Sequence, residues 1–396
     1  MSNDANIVII GGGPAGLTTA GALAQLGIAS VVLDNNARVG DVWARRYDRL
    51  HLHTLRAFSG LAHLPIPRRN PRYLSRDQFV RYLQDYARHF TLNIQHDCTV
   101  STVHGDGASW TIETNIGRWR APCVVVAVGQ YGTPTLPNWE GRTEYRGELL
   151  HSVSYRSGAS FDGKRVLVIG AGNSGTEIAV DLLERGATYV ANSIRTPPPV
   201  VPREFLGAPV QLFGMVMSAL PPRLADRMGS AIARLATGDL RGYGVRAAAW
   251  QPFTAHKVPI IDVGWIAAVK SRRLHVRGDI ARFTPTGVEF GDGTAEDFDV
   301  VIAATGFATG LATLIDAPGS LDDRGFPRHR SGGATNHPGL HFMGYTESTR
   351  GHLFEANHDS RRLAQLIKRD MATPSSQYHS LRLLPQQSTY RTDHDL

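Results

Sequence analysis

The sequence predicts an α/β protein built from two Rossmann-like dinucleotide-binding domains of the three-layer ββα sandwich type, the first discontinuous and carrying the second as an insertion. Three observations predict it. Two glycine-rich loops of one kind, Gly11-Gly12-Gly13-Pro14-Ala15-Gly16 and Gly170-Ala171-Gly172-Asn173-Ser174-Gly175, stand about 160 residues apart. Each follows a β-branched run, residues 7–10 or 166–169, and leads into apolar residues at helical spacing. Two further runs, residues 123–129 and 299–307, each couple an apolar strand to a sharp glycine turn, as suits a chain crossing between domains close to a cofactor.

The first loop reads as strand, tight turn and helix over residues 17–26. In such a turn Gly11 reverses the chain, Gly13 lets backbone amides approach a pyrophosphate, and Gly16 lets the helix pack closely on the strand. A second strand, residues 31–33, ends at Asp34, where an acid can bond a ribose hydroxyl and repel a 2′-phosphate. The second loop opens a helix from Gly175 to Arg185, closed by Gly186. The strand that follows, residues 187–192, carries no acid at its end but is succeeded by Ser193 and Arg195. Arginine offers a bidentate fork for phosphate, which suits NADP(H); on spacing alone, Arg195 reads equally as a solvated surface charge.

These motifs divide the chain into a first nucleotide domain over residues 1–155 and 300–372, an inserted second one over 156–299, and a polar, aperiodic tail over 373–396 expected to be loosely ordered. At 396 residues and 42% apolar, the chain has ample core for both. Its net charge of +7 comes from scattered arginines without a long basic run or interleaved aromatics, which argues against nucleic acid and for steering of anionic small molecules. Cys98 and Cys123 form no C-x-x-C pair, which argues against a redox-active disulfide. The chain starts almost directly on its first strand, so no signal peptide is expected and a cytoplasmic protein is. The longest apolar stretch, residues 205–220, contains Pro209 and Gln211 and is too short and interrupted to span a bilayer. It reads as a lid or substrate-side helix, the alternative being a membrane-touching patch.

Between the loops lies Tyr145-Arg-Gly147-Glu-Leu-Leu-His151-Ser-Val-Ser-Tyr155, which resembles the F-x-G-x-x-x-H-x-x-x-Y/F motif of flavin-containing monooxygenases, with Tyr145 in place of Phe. With both loops in order, the chain resembles the class B flavoprotein monooxygenases to about residue 370. A narrower resemblance, to the plant YUCCA-type indole-3-pyruvate monooxygenases, rests on Tyr47-Asp-Arg-Leu-His-Leu-His53, on residues 161–175, on Arg195 nine residues before Glu204, and on Lys257-Val-Pro-Ile-Ile-Asp262-Val-Gly264. It departs at Val128 of the first A-T-G turn and at Glu347-Ser-Thr-Arg350-Gly351-His352, a segment expected to face flavin or substrate.

The resemblance implies FAD at the first loop and NADPH at the second. Gly11, Gly13, Pro14, Ala15, Gly16 and Asp34 are expected to hold FAD, with Gly40, Trp43, His53, Val100, Ala127, Gly129 and Gly344 completing its surroundings. Gly170, Gly172, Asn173, Ser174, Gly175, Ser193 and Arg195 are expected to hold NADPH, and Ala304, Thr305 and Gly306 to bind cofactor where the chain crosses between domains. His53 stands where amine- and sulfide-oxidising relatives carry Asn; it reads either as a proton-handling catalytic residue or as packing beneath the flavin. The implied chemistry is hydride transfer from NADPH to FAD, uptake of O2 as a C4a-(hydro)peroxide, and oxygenation of a small substrate, foremost oxidative decarboxylation of a 2-oxo acid. The alternatives are N- or S-oxygenation of a small amine or sulfide, a reductase passing electrons to a partner, and a non-catalytic NADP(H) sensor. The expected partners are a small-molecule substrate and O2; no metal, nucleic acid or integral membrane segment is expected, and an oligomer is possible.

Overall fold

A computed structural model describes residues 2–107 and 109–372. The tail over 373–396 lies outside them. The four β-branched residues Ile7–Ile10 are wholly buried, as a strand covered on both faces requires. They form the middle of a five-stranded parallel sheet in the order Leu340–Phe342, Cys123–Val126, Ile7–Ile10, Val31–Leu33, Asn93–Gln95. One face, through Ile7, Ile9, Val32 and Val125, packs on helix α1 (Pro14–Ala24) and on Leu363, Ala364 and Ile367 of the long helix His352–Ala372. The other face, through Val8, Ile10, Val124 and Val126, packs on an antiparallel meander of Val100–Gly105, Trp110–Thr114 and Gly117–Ala121. The layers are meander, sheet and helices.

The second sheet repeats this plan. Its five parallel strands run in the order Glu148–His151, Val300–Ala303, Arg165–Ile169, Tyr189–Ser193, Leu274–Arg277. Helix α2 (Asn173–Glu184) and Trp265 and Val269 of the helix Trp265–Lys270 cover one face. The meander Ile280–Phe283, Gly287–Phe290, Ala295–Asp297 covers the other. The protein is therefore an α/β molecule with two such sheets.

Two strands sit differently from the sequence expectation. Glu148–His151 and Val300–Ala303, read as parts of the first domain, are hydrogen-bonded into the second sheet. The likeness of residues 299–307 to 123–129 is internal repetition: Val300 pairs with Val166 as Cys123 pairs with Ile7, each strand lying beside the strand that leads into the glycine loop of its own sheet. An apolar run carries no mark of which sheet it joins. The crossings do lie together, since Thr133–Pro134 pairs antiparallel with Phe307–Ala308.

Between Tyr189–Ser193 and Leu274–Arg277 the chain makes an excursion, tied at its base by the parallel pair Val200–Pro202 and Ile260–Asp262. It contains helices α3 (Val210–Met217) and α4 (Pro222–Thr237), the latter started by Pro222 at its first turn and closed before Gly238. Among the described residues no helix is long and apolar enough to cross a membrane. Cys98 and Cys123 are both buried, and no disulfide joins them.

Candidate active site

Both glycine loops are built alike, and for steric reasons. Gly11 and Gly170 sit at φ of 106° and 107°, where a side chain is strained, and a Cβ on either would strike the carbonyl of Ala127 or Ala304 in the adjacent strand-turn. A Cβ on Gly16 or Gly175 would run into the carbonyl of Gly11 or Gly170, so only glycine lets each helix approach its strand. At the middle glycines, Gly13 and Gly172, an added Cβ would meet no protein atom within 4 Å. These positions open onto space lined by the first residues of α1 and α2, and a helix N-terminus with unpaired amides suits an anion.

That space is one cavity of about 1170 Å³, above the roughly 300–1,000 Å³ of ordinary small-ligand sites. Gly11, Gly13, Pro14, Ala15, Asp34, Trp43, His53, Val100, Ala127, Gly129 and Gly344 line it from the first unit. Gly172, Asn173, Ser174, Gly175, Ala304 and Gly306 line it from the second. The two loops thus share a chamber. Asp34 is only 4% exposed, and its Oδ1 accepts from Asn36 Nδ2 at 2.9 Å, which fixes the carboxylate at the end of its strand.

Other expected residues lie outside the lining. Gly16 and Gly170 act beneath it, in the packing just described. Gly40, at φ 88°, starts the short helix Asp41–Ala44 against Val80 and so places Trp43. Thr305 donates its hydroxyl to the Thr135 carbonyl, tying the two crossings together. Ser193, expected to hold NADPH, is instead 1% exposed and off the cavity lining, and its Oγ donates to the Gly278 carbonyl at 2.7 Å, holding the strand to the turn before the meander. It is also one residue early. Gly11 N donates to Leu33 O and Gly170 N to Ser193 O, so the counterpart of Asp34 is Ile194, a buried apolar residue with no charge to repel a phosphate. Arg195 follows it as an exposed residue, outside the cavity lining.

Several residues were not legible as site residues. Arg246 lines the cavity and donates to the carbonyls of Ile194 and Arg195 at 2.7 and 2.9 Å, bringing a second guanidinium to the same corner. Gln211 of α3 accepts from Leu55 N at 2.8 Å and donates to Arg350 O at 2.6 Å, clasping two loops of the first unit. Arg46 lines the cavity with its Cζ 5.6 Å from the Phe307 ring centroid, and burial lowers its pKa. Glu177, 2% exposed on α2, places Oε1 2.7 Å from His53 Nε2. An acid set among apolar residues one turn into a helical pattern, with Asp181 four residues beyond it, was the available signal for Glu177; the others carry none.

The remaining wall is mostly apolar and comes from the excursion: Phe213 and Met217 of α3, Ile232 and Ala233 of α4, and Phe253. The segment Ser348–Leu353, where the sequence departs from the resembled family, closes the same wall through Ser348, Thr349, Gly351 and His352. Burial holds the His352 imidazole below the ordinary histidine range, and its Nδ1 lies 3.1 Å from the Thr346 carbonyl. In the linker motif, His151 Nε2 meets the Gly306 carbonyl at 3.1 Å and the ring packs edge-on against Phe307. Tyr155 donates to Asp181 Oδ2 at 2.6 Å. The motif is a brace beside the crossing, with Tyr145 supplying a hydroxyl that phenylalanine lacks, donated to Phe298 O at 2.9 Å.

Comparison with known proteins agrees with this architecture. Residues 8–197 match a family described as pyridine nucleotide-disulphide oxidoreductase. The chain is 34% identical over 385 residues to the indole-3-pyruvate monooxygenase YUCCA6 of Arabidopsis thaliana, covering 91% of this chain and 89% of that protein. A solved flavin-containing monooxygenase from Stenotrophomonas maltophilia superposes with a TM-score of 0.69 at 24% identity, over 92% of this chain and 99% of that one. An oxidized steroid monooxygenase bound to NADP superposes with a TM-score of 0.74 at 20% identity, over 93% and 86%.

Proposed function

The chain belongs to the family of the YUCCA indole-3-pyruvate monooxygenases, and from that premise we propose that this NADPH- and FAD-dependent monooxygenase oxidatively decarboxylates a 2-oxo acid such as indole-3-pyruvate. Overall, the 2-oxo acid, O2, NADPH and a proton would yield the acid one carbon shorter, CO2, water and NADP+. The observation that carries the reading is the single chamber into which both glycine loops open, with His53 between them and a largely apolar wall opposite. Bound together, FAD and NADPH supply the hydride and the activation of oxygen.

The protein's part is positioning and exclusion of water. Gly13 leaves room for the FAD pyrophosphate at the start of α1, and Asp34 accepts from the ribose hydroxyls. Gly172 and the start of α2 do the same for NADPH, whose 2′-phosphate meets Arg195, with Arg246 alongside, where Ile194 replaces the acid of the first site. Trp43, placed by the turn at Gly40, and Val100, Ala127, Gly129 and Gly344 would surround the flavin. Phe213, Met217, Ile232 and Phe253 receive the apolar body of the substrate. His53 holds or moves the proton beside the reacting carbonyl. For the domains, we read the FAD unit as discontinuous and the NADPH unit as its insertion, bounded by the second sheet at about residues 148 and 303.

Product analysis under 18O2 tests the substrate class. With indole-3-pyruvate, one labelled oxygen is expected in the carboxyl group of the shortened acid, with one NADPH consumed per CO2. No turnover of any 2-oxo acid, together with N-oxide formation from a tertiary amine, overturns the reading.

A further inference from the structure

His53 and Glu177 come from different units, yet they meet. Glu177 stands one turn beyond Ser174 on α2, the helix that begins at the second glycine loop, and is almost wholly buried. His53 belongs to the loop that follows Trp43 in the first unit and lines the cavity. Glu177 Oε1 lies 2.7 Å from His53 Nε2 without meeting the linear geometry of a hydrogen bond, so a small rotation of the ring brings the pair into line. Among the described residues His53 is the only basic side chain at ion-pair distance from Glu177. Arg49, which adds a positive field nearby, has its guanidinium engaged by Glu184 at 2.9 Å through both Nε and Nη2. The Tyr47 phenol also faces Glu177 and Ser174, and burial, then the Glu177 charge, raise its pKa, so it faces the carboxylate as a neutral hydroxyl.

We propose that Glu177 is the positioning residue for His53, fixing both the orientation of the imidazole and which nitrogen carries its proton. Two unprotonated atoms repel at 2.7 Å, so the nitrogen facing the carboxylate is Nε2–H. Nδ1 of the neutral ring is then left with a lone pair. Nδ1 is buried and has no hydrogen-bond partner in the protein, an unmet acceptor at the edge of the chamber where a ligand completes it. A carboxylate behind a histidine sets its tautomer and its orientation, as in other sites where a third group orients a base. Because Glu177 rides on the NADPH-side helix, the ring is held in this state only while the two units are docked.

The proposal rests on His53 lying beside the reacting centre, but its test does not need the substrate. In FAD-loaded enzyme with NADP+ and 15N-labelled histidine, His53→Asn identifies the His53 resonances. We expect an unprotonated Nδ1 and a protonated Nε2 in the wild type, and both tautomers in Glu177→Gln, whose amide can donate as well as accept. We expect Glu177→Gln to lower kcat on the order of tenfold while the KM for NADPH stays within about twofold, the pattern of a group acting on the chemical step alone. A proton on Nδ1 in the wild type overturns the proposal, as does an unchanged tautomer in Glu177→Gln. A rise in NADPH KM equal to the fall in kcat would mark a merely structural carboxylate. If Glu177→Gln fails to retain FAD, the wild-type spectrum alone decides. Failure of the spectrum with retained 2-oxo acid turnover leaves the proposed substrate class standing.

Discussion

Gly13 has empty space where its side chain would be, and Gly16 has none. Gly13→Val would leave the apo fold intact and place two methyl groups in the pyrophosphate cradle, so the protein is expected to purify colourless, as read by flavin absorbance; a fully yellow variant overturns that placement. Arg195→Ala is expected to raise the KM for NADPH roughly 10- to 100-fold and that for NADH little, corresponding to the loss of about 1.5–3 kcal/mol of charge-assisted hydrogen bonding. Equal effects on both nucleotides remove Arg195 from the role. At this scale the glycines and Asp34 were legible because their chemistry is local: the turn, the close approach and the strand-end acid follow within about 20 residues of one another. Ser193 was misread because the sequence does not show which residue of a strand end aligns with Asp34. Pairing of Gly170 N with Ser193 O moves that position to Ile194.

The linker motif acts as an element. Tyr155 donates to Asp181, which also accepts from Gly158 N at 2.8 Å, so one buried carboxylate of α2 anchors the start of the second unit. Tyr155→Phe removes one of those donors and is expected to destabilise the protein by about 1–3 kcal/mol in urea denaturation, with the KM for NADPH nearly unchanged. An unaltered midpoint would mean that Asp181 finds another donor. The central parallel strands of both sheets, 7–10, 31–33, 123–126 and 166–169, and the helices after the two glycine loops could be read from their apolar runs, since strands covered on both faces show continuous rather than alternating hydrophobicity. Sheet membership could not: 300–303 is a short apolar run like its neighbours, 148–151 (Glu-Leu-Leu-His) is not apolar at either end, and only backbone pairing assigns them.

At the scale of the whole molecule, the chamber is closed by contacts between units. Gln211→Ala removes the clasp between α3 and the loops at Leu55 and Arg350, leaving both backbone groups without their partner. More hydrogen peroxide per NADPH oxidised is expected, measured at saturating substrate, because water gains access to the chamber; tight coupling in that variant would show that the clasp does not seal it. The same burial has a pH consequence. His151 and His352 both have pKa values lowered by burial from the ordinary 6.5, so the unfolded chain binds more protons as pH falls through that value. Their contribution is fully favourable above about pH 7 and is lost below 6.5, so the thermal midpoint is expected to drop between pH 7.5 and 6.0; a midpoint flat across that interval contradicts it. By itself the sequence determined that two dinucleotide loops exist, which of them carries the acid, and the family to which their combination belongs, because those features are short-range and steric. Only the tertiary structure decided that the loops face one cavity, that Ile194 and not Ser193 answers Asp34, and that Glu177 stands behind His53. Those relations join residues more than a hundred positions apart or depend on strand register, and the folded packing alone sets them.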